Sequence, residues 1–334
     1  MHPSPVKSQS KTMKAIVWTA YGPPEVLQLQ EIPKPIPKAN EVLIKIHATT
    51  VTLGDCESRK LDFPFPLKLL MRFAVGFFKP RKKTLGQELS GVIEEVGETV
   101  ENFKPGDKVF ASTQFHFGAY AEYACLPANH HVVHKPESIS FESAATIPTG
   151  GLNALHFIKD ANIQPGEKVL INGAGGNIGT YAVQMAKQKG AYVYVVDSQA
   201  KLPMLLSIGA DEGIDYQTRD FTQLGHTYDV VIDVVGKFSF SNTIQVLNEG
   251  GRLVLGNPRV GTALRGLWTS KTTDKKVIPS LAPYTPEYYQ TMVDMLASGE
   301  ITTVIDKVFP LEEVPEAHRY VEKGLKQGCL VIKV

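Results

Sequence analysis

The residues with the clearest chemical signature form a glycine-rich turn over 173–179, with the sequence GAGGNIG. This turn follows the apolar run KVLIN and opens the helical pattern IGTYAVQMAK. A dinucleotide-binding turn needs small residues at three positions, for a tight bend, for approach of a pyrophosphate and for close helix packing. Ala174, Gly176 and Gly179 occupy these positions. Asn177 and Ile178 then begin a helix whose backbone N–H groups suit phosphates.

A carboxylate stands where such a site needs one. Asp197 ends the next strand pattern, AYVYVVD, about 20 residues beyond the glycines, where it can hold the adenosine ribose hydroxyls of NADH. Ser198 and Lys201 follow and can instead bind the 2′-phosphate of NADPH. All three residues can also be solvated loop residues. We therefore expect a nicotinamide dinucleotide, NAD(P)H, and leave the choice between NADH and NADPH open.

The elements that position these residues alternate in type from residue 136 onward. Strand patterns separated by helices of about 10 to 15 residues are typical of a doubly wound parallel sheet, so the fold class is α/β. Gly236 ends the strand pattern YDVVIDVVG, and Gly256 and Asn257 follow GRLVL. Ligands of such sheets bind at the carboxyl ends of the strands, so these three residues are further candidates for cofactor binding.

The rest of the chain predicts a second, β-rich domain. Short β-branched runs separated by Gly and Pro turns fill 13–135, and the last fifty residues favour a return to that domain. We expect a β-rich domain over 13–135, a dinucleotide-binding domain over 136–284 and the return over 285–334. Residues 1–12 are polar and are expected to be a disordered leader.

Composition excludes several classes of function. The chain has 35 Lys and Arg against 34 Asp and Glu, a net charge of +1, which gives no general attraction to nucleic acid. The three cysteines, Cys56, Cys125 and Cys329, are far apart, so a secreted disulfide framework is not expected. No apolar run approaches the roughly 20 residues that span a bilayer. We expect a cytoplasmic protein that acts on a small molecule.

Several stretches together resemble the medium-chain dehydrogenase/reductase superfamily, and within it the zinc-independent quinone oxidoreductase-like branch. They include MKAIVWTAYGPPEVLQLQEIPKP, LGQELSGVIEEVG, FKPGDKVFA, PGEKVLINGAGGNIG and LNEGGRLVLG, and the resemblance extends from Met13 to Val334. It implies a GroES-like catalytic domain joined to a Rossmann domain that binds the cofactor.

Zinc ligands of the related alcohol dehydrogenases are missing at the matching positions. Thr52, Gln87 and Ala145 stand where two cysteines and a histidine are expected, and the four-cysteine structural zinc lobe is absent. A makeshift site of Cys56, Glu57 and some histidine is disfavoured, because zinc needs three or four convergent ligands. We therefore expect no metal, and substrates that are already electron-poor, because no Lewis acid stabilises an alkoxide.

The resemblance also implies roles for residues near the cofactor. Thr149 and Gly150 would lie under the nicotinamide, although this stretch can equally cap a helix. Tyr216 would pack beside the adenosine. Thr52 and Asp55 would line the substrate cleft, although Asp55 can instead tie the loop backbone.

Tyr120 is a candidate proton or oxyanion donor, and its alternative is a half-buried strand residue. Solvent can also supply the proton. The catalytic assignments Thr52, Asp55 and Tyr120 are therefore hypotheses.

The combined prediction is an NAD(P)H-dependent oxidoreductase that passes hydride to a quinone or an α,β-unsaturated carbonyl. The alternatives are a reductase or dehydrogenase of saturated ketones and alcohols, and a non-catalytic protein that binds NAD(P)H. The stretch VIPSL near residue 279 resembles the edge strand through which relatives dimerise, so a homodimer is expected. Segment 61–83 is apolar and basic, and we favour packing on its own domain or capping the substrate pocket over membrane contact.

Overall fold

The structure is a computed structural model that describes residues 12–65, 67–129 and 131–334. The chain divides into two compact units. The first unit contains the chain up to Lys135, with Val308–Leu325 and Val331–Val334, and the second contains Pro136–Lys307 and Lys326–Leu330. The expected leader over 1–12 lies outside the described residues, except for Thr12, which opens the first strand.

The first unit is mainly antiparallel β-structure. Its elements before residue 135 are β1 Thr12–Trp18, β2 Leu27–Pro33, β3 Glu41–Thr50, α1 Leu53–Lys60, α2 Leu67–Val75, β4 Glu88–Val96, β5 Lys108–Ser112, β6 Tyr123–Pro127 and β7 Val132–His134. Strands β1 and β2 pair with each other, β3 pairs with β4 and β6, and β5 pairs with β4 and β7. The inward side chains of β3, Val42, Ile44 and Ile46, form its core with Leu89 and Val109.

The second unit is a Rossmann domain. Its elements are α3 Phe141–Ala145, a π-helical turn Ile147–Gly151, α4 Leu152–Ala161, β8 Lys168–Asn172, α5 Asn177–Gln188, β9 Tyr192–Asp197, α6 Leu202–Ser207, β10 Glu212–Asp215, β11 Tyr228–Asp233, α7 Phe240–Gln245, β12 Leu247–Leu255, α8 Val260–Thr272, β13 Lys276–Pro279 and α9 Pro286–Ala297. Its sheet is parallel with strand order β10-β9-β8-β11-β12-β13, the doubly wound order that places a ligand crevice where the order reverses at β8. The predicted α/β class is confirmed.

The end of the chain contributes β14 Ile305–Pro310, α10 Val314–Glu322 and β15 Cys329–Lys333. In the first unit, Val331 of β15 pairs antiparallel with Thr50 of β3. The return therefore begins at Val308 rather than at the expected residue 285, because α9 packs on α4 inside the second unit. Among the described residues, no helix has the length and apolar character needed to cross a membrane.

Apolar residues recur at helical spacing over Phe141–Ile158, a pattern that predicts a single helix, and the structure instead has α3, the π-helical turn and α4 there. Pro148 lacks the N–H that a regular helix needs, and Gly150 and Gly151 are weak helix formers. A Cβ on Gly151 would lie 2.4 Å from the terminal methyl of Met292 on α9, so a larger residue there would displace the Met292 side chain. Single π-helical turns of this kind occur frequently at functional sites.

A buried arginine joins three parts of the first unit. Arg59 of α1 is fully buried, and its Nε donates to the carbonyl oxygen of Gly22 at 3.0 Å. Its guanidinium also pairs with Glu322 and lies 3.0 Å from Nδ1 of His318, both on α10. Burial, and then the Arg59 charge, lower the pKa of His318 to about 3, so its neutral ring accepts a hydrogen bond from the guanidinium.

Replacing Arg59 by Ala is expected to lower the free energy of unfolding by about 3 kcal/mol, because it leaves the buried His318 ring and the Gly22 carbonyl without their donor and Glu322 with Lys60 alone. The matched control is Arg319→Ala, which removes exposed ion pairs to Glu25 and Glu316 and should cost about 1 kcal/mol or less. Urea denaturation of both variants provides the measurement. Equal losses in the two variants would contradict the role given to the buried guanidinium.

Candidate active site

The glycine-rich turn contains two glycines whose small size serves different purposes. A Cβ on Gly179 would lie 2.4 Å from the carbonyl oxygen of Ala174, so glycine is required for the packing of α5 on the turn. A Cβ on Gly176 would meet no atom within 4 Å, and the backbone there is ordinary extended chain with φ −99°. The space over Gly176 at the N-terminus of α5 is therefore open, which fits the approach of a dinucleotide pyrophosphate.

The first turn of α5 connects to the π-helical turn. Asn177 is buried, and its Nδ2 donates to the carbonyl oxygen of Thr146 at 3.4 Å. A Cβ on Gly150 would lie 2.1 Å from Oδ1 of Asn177, so a larger residue at this predicted site position would displace the buried Asn177 side chain. Thr149, which precedes Gly150, and Ile178, which follows Asn177, are both half-buried.

The side chain of Asn177 also has a partner from the end of the chain. The thiol of Cys329 donates to Asn177 Oδ1 at 2.6 Å, and the backbone N–H of Gly328 donates to the carbonyl oxygen of Gly175 at 2.9 Å. The segment Lys326–Leu330, which belongs to the second unit, therefore supports the glycine-rich turn. Sequence reasoning missed this contact because the residues are about 150 positions apart and no motif links them.

The carboxylate of Asp197 forms hydrogen bonds within the protein. It accepts them from the backbone N–H groups of Gly175 at 2.7 Å and Ser198 at 2.8 Å. Lys201 Nζ lies 3.2 Å from the same carboxylate, and both side chains are largely buried. Asp197 thus fixes the glycine-rich turn, a function that the sequence did not reveal.

The remaining cofactor candidates lie along the same edge of the sheet. Tyr216 is 59% exposed, and its backbone N–H donates to the carbonyl oxygen of Asp197 at 3.2 Å, so its ring stands beside the end of β9. Gly236 adopts φ +69°, a conformation that favours glycine, close to the backbone of Asn257. Gly256 donates its N–H to the carbonyl oxygen of Asp233 at 2.8 Å.

Asp233 is a residue at this edge that sequence reasoning missed. It is buried at the end of β11, where its carboxylate accepts from Asn172 Nδ2 at 2.8 Å and from the Gly236 N–H at 2.9 Å. Burial raises the pKa of Asp233 to about 6, against the lowering effect of these hydrogen bonds. The signal available in the sequence was a carboxylate at the carboxyl end of a parallel strand.

In the first unit, Thr52 and Asp55 form a capping box at the start of α1. Thr52 Oγ1 accepts from the Asp55 N–H at 3.1 Å and donates to Asp55 Oδ2 at 2.7 Å. Asp55 is fully buried, and burial raises its pKa to about 6, although bonds from Thr52 and the nearby Tyr120 hydroxyl and Gly86 N–H lower it. Asp55 is therefore placed to fix the loop that carries Thr52.

Tyr120 is also fully buried. Its hydroxyl donates to the carbonyl oxygen of Thr50 at 3.3 Å, and its ring meets the His318 ring edge to face at 5.7 Å. Burial, followed by the charge of Asp55, raises the pKa of Tyr120 well above its ordinary value. The role of Tyr120 as a proton donor stays a hypothesis, and the burial of its hydroxyl favours a positioning role.

Gln87 joins Thr52 beside Gly54. A Cβ on Gly54 would lie 3.2 Å from Gln87 Nε2 and 3.6 Å from Thr52 Oγ1, so a carboxamide and a hydroxyl both lie beside Gly54. The third position, Ala145, is a buried alanine of the second unit. From the sequence, Gln87 was interpreted only as the residue that replaces a histidine ligand, and it was not predicted as a site residue.

The alternative metal site of Cys56 and a histidine does not have the right surroundings. Cys56 Sγ lies 3.3 Å from Nδ1 of His318, but the Arg59 guanidinium lies 3.0 Å from the same nitrogen, and a cation there opposes metal binding. Within the described ranges, no group of three or more His, Cys, Asp and Glu side chains is arranged to hold a metal ion.

Comparisons with known proteins agree with this architecture. Residues 38–137 match the alcohol dehydrogenase GroES-like domain, and residues 208–332 match the family described as zinc-binding dehydrogenase. Human quinone oxidoreductase is 30% identical over 328 residues, covering 94% of this chain and 95% of the relative.

Two solved structures show the same fold. The quinone oxidoreductase of Coxiella burnetii is 33% identical with a TM-score of 0.86, covering 97% of this chain and 100% of that one. Escherichia coli quinone oxidoreductase complexed with NADPH is 25% identical with a TM-score of 0.79, covering 96% and 100%.

The fold and the matches define an oxidoreductase of the medium-chain dehydrogenase/reductase superfamily. Within that superfamily the chain belongs to the quinone oxidoreductase-like branch. The predicted family is therefore confirmed.

The two glycines give a matched pair of variants. Gly176→Ala is expected to leave thermal stability nearly unchanged and to weaken dinucleotide binding about tenfold or more, because its methyl group enters only the open space. Gly179→Ala should lower stability by about 2 kcal/mol, because its methyl group meets the Ala174 backbone. Thermal unfolding and calorimetric titration with NADPH separate the two effects. A Gly176→Ala protein that binds normally would show that the open space is not the pyrophosphate site.

Proposed function

We propose that this oxidoreductase is a zinc-independent, NAD(P)H-dependent reductase of quinones or α,β-unsaturated carbonyl compounds. The observation that carries the proposal is the Thr52–Gln87 pair beside Gly54, where a neutral carboxamide and a hydroxyl lie at positions that the resemblance matches to metal ligands of related dehydrogenases. The names of the relatives, quinone oxidoreductases at about 30% identity, support the same substrate class. We keep a cytoplasmic location as part of the proposal, because none of the three cysteines forms a disulfide within the described residues.

The second unit supplies the residues that would hold the cofactor. The open space over Gly176 and the N-terminus of α5 suit the pyrophosphate, and the exposed ring of Tyr216 suits the adenosine. Thr149 and Gly150, in the π-helical turn, would contact the nicotinamide. When bound, the nicotinamide supplies the hydride, and the chain provides binding, orientation and electrostatics.

In the first unit, Gln87 would act on the substrate oxygen. The Thr52 hydroxyl hydrogen is directed to Asp55 at 2.7 Å, which leaves the Gln87 carboxamide N–H as the donor of the pair. A neutral N–H stabilises the oxygen of a conjugated carbonyl as negative charge develops there. It is a weaker acid than a metal ion, which favours acceptors that are already electron-poor over saturated ketones. Solvent would supply the proton.

Lys201 favours NADPH over NADH. The Asp197 carboxylate already accepts two backbone N–H groups and pairs with Lys201, so it has little remaining capacity for ribose hydroxyls. Its negative charge is offset by a lysine that lies next to the turn and can reach a 2′-phosphate. The Escherichia coli relative solved with NADPH agrees with this preference. We therefore assign NADPH as the preferred cofactor.

Lys201→Ala is expected to weaken NADPH binding at least about tenfold more than NADH binding, because only NADPH carries the additional phosphate, whereas the loss of the Asp197 pair affects both nucleotides. Lys187→Ala, which removes an ion pair with Asp211 elsewhere in the second unit, is the control and should change neither. Calorimetric titration measures the dissociation constants of NADPH and NADH for both variants, and each is compared with that of the wild type. Equal losses for NADH and NADPH would refute the phosphate role of Lys201.

The reductase proposal is tested with chelator-treated protein and NADPH, offered a quinone, an enone and a saturated ketone. We expect turnover of the first two without added metal, and kcat/KM about tenfold to a hundredfold lower in Gln87→Leu, because a donor to the developing negative charge is lost. The control Gln30→Leu changes an exposed glutamine on β2 and should behave as wild type.

Two results of this experiment would favour the alternatives. Activity that requires added zinc, or a preference for the saturated ketone, would favour an alcohol dehydrogenase. NADPH binding without turnover of any acceptor would favour a non-catalytic binding protein.

We also propose a homodimer formed through the edge of the six-stranded sheet. Strand β13 is the last strand in the order, and α8 beside it exposes large apolar side chains. The exposed residues are Val260, Leu264, Leu267 and Trp268, with Leu281 following β13. An edge strand flanked by apolar surface is suited to pairing with a second copy.

The double variant Leu264→Glu and Trp268→Glu is expected to convert the dimer to a monomer, because charges would be buried between the copies. Leu206→Glu on α6 places a charge on a different exposed apolar residue and should leave the dimer intact. Light scattering after size-exclusion chromatography measures the mass. A wild-type protein that is monomeric at micromolar concentration would rule out the proposed dimer.

A further inference from the structure

Segment 61–83 exposes more apolar surface than a surface helix normally does. One stripe of α2, Met71 and Val75, is buried against the first unit. The other faces of α2 and the residues beside it expose large apolar side chains. They are Phe65, Leu67, Leu69, Leu70, Phe73, Phe77 and Phe78, with Phe65 81% and Phe78 89% exposed. The sequence favoured packing or capping for this segment, whereas the structure leaves its apolar side chains in solvent.

The segment is held to the first unit at its carboxyl end. The Tyr21 hydroxyl donates a hydrogen bond to the carbonyl oxygen of Gly76 at 2.5 Å. The backbone N–H of Trp18 donates one to the carbonyl oxygen of Lys83 at 2.6 Å. Arg72 also donates to the carbonyl oxygen of Phe77 at 2.8 Å, which closes the turn after α2. The exposed side chains are therefore displayed from an anchored element.

The charge of the segment is strongly one-sided. It contains six basic residues and a single acidic residue, Asp62, at its beginning. The basic residues are Lys68, Arg72, Lys79, Arg81, Lys82 and Lys83. The whole chain has a net charge of only +1, so this concentration of positive charge is local. Basic residues interleaved with exposed Phe and Leu are typical of an element that lies in the headgroup region of a membrane.

We propose that segment 61–83 docks the protein on the surface of an anionic lipid bilayer. The exposed Phe and Leu side chains would enter the boundary between headgroups and acyl chains, and the Lys and Arg side chains would pair with lipid phosphates and carboxylates. A second copy of this chain is a poorer occupant, because two such segments face to face would bring their positive charges together. The docking is independent of the reductase activity and does not assume it.

The test is flotation of the full chain with lipid vesicles. We expect binding at low salt to vesicles of phosphatidylcholine with about a third phosphatidylserine, and little binding to phosphatidylcholine alone. The triple variant Arg81→Gln, Lys82→Gln and Lys83→Gln should bind the anionic vesicles about a hundredfold more weakly, at about fivefold per charge removed. The control triple variant Lys104→Gln, Lys189→Gln and Lys271→Gln changes the net charge equally at exposed sites and should bind as wild type.

A second variant tests insertion of the apolar side chains. Leu70→Ser with Phe78→Ser should reduce the binding that survives high salt, because salt screens the charges but not the apolar contact. Ile36→Ser with Leu206→Ser alters exposed apolar residues that lie outside both the segment and the proposed dimer interface, and serves as the control. Circular dichroism checks that each variant is folded.

Three outcomes would overturn the proposal. The first is absence of wild-type binding to anionic vesicles at low salt. The second is an equal loss of vesicle binding in the two triple variants. The third is an equal loss of salt-resistant binding in the two apolar double variants. None of these outcomes depends on NADPH oxidation, so failure of the docking proposal is distinguishable from failure of the proposed reductase function.

Discussion

The bond from the Gly175 N–H to the Asp197 carboxylate, 2.7 Å long, is the interaction on which the cofactor site depends. It ties the glycine-rich turn after β8 to the end of β9, the neighbouring strand of the parallel sheet. A largely buried carboxylate needs several partners, and the Ser198 N–H and Lys201 provide them. If this carboxylate were lost, the start of α5 would no longer have a fixed position relative to the sheet.

The first unit achieves a comparable rigidity with the capping box of Thr52 and Asp55. Asp55 is completely buried, and its hydrogen bonds to Thr52 keep the start of α1 beside Gln87. Below about pH 6 Asp55 becomes protonated, because burial raises its pKa to about 6. The folded protein therefore takes up this proton at a higher pH than the unfolded chain, and the contribution of Asp55 to stability falls as pH rises from about 4 to about 6.

Much of the fold was predictable from the sequence because its signals are local. The alternation of KVLIN, IGTYAVQMAK and AYVYVVD predicts a parallel sheet, and GAGGNIG places the turn. The break in the helix at Pro148 was missed, although proline followed by two glycines was a readable signal. The end of the second unit was placed too early, because the packing of α9 on α4 is a tertiary contact without a sequence motif.

The candidate site was predictable only where residue type determines the role. Gly179 is required by its distance to Ala174, as the motif implies, and Gly176 lies open. The internal bonds of Asp197 could not be foreseen, because a carboxylate after β9 suits a ribose equally well. The residue type of Tyr120 suits a proton donor, whereas its complete burial, which the sequence does not reveal, favours a positioning role.

Transfer of deuterium from NADPH labelled at C4 of the nicotinamide to an enone, by metal-free protein, tests the central claim most directly. Mass spectrometry and proton NMR locate the label in the product. The proposed function predicts a saturated ketone with deuterium on the carbon β to the carbonyl. An allylic alcohol with deuterium on the carbonyl carbon, or transfer only after zinc is added, would contradict it.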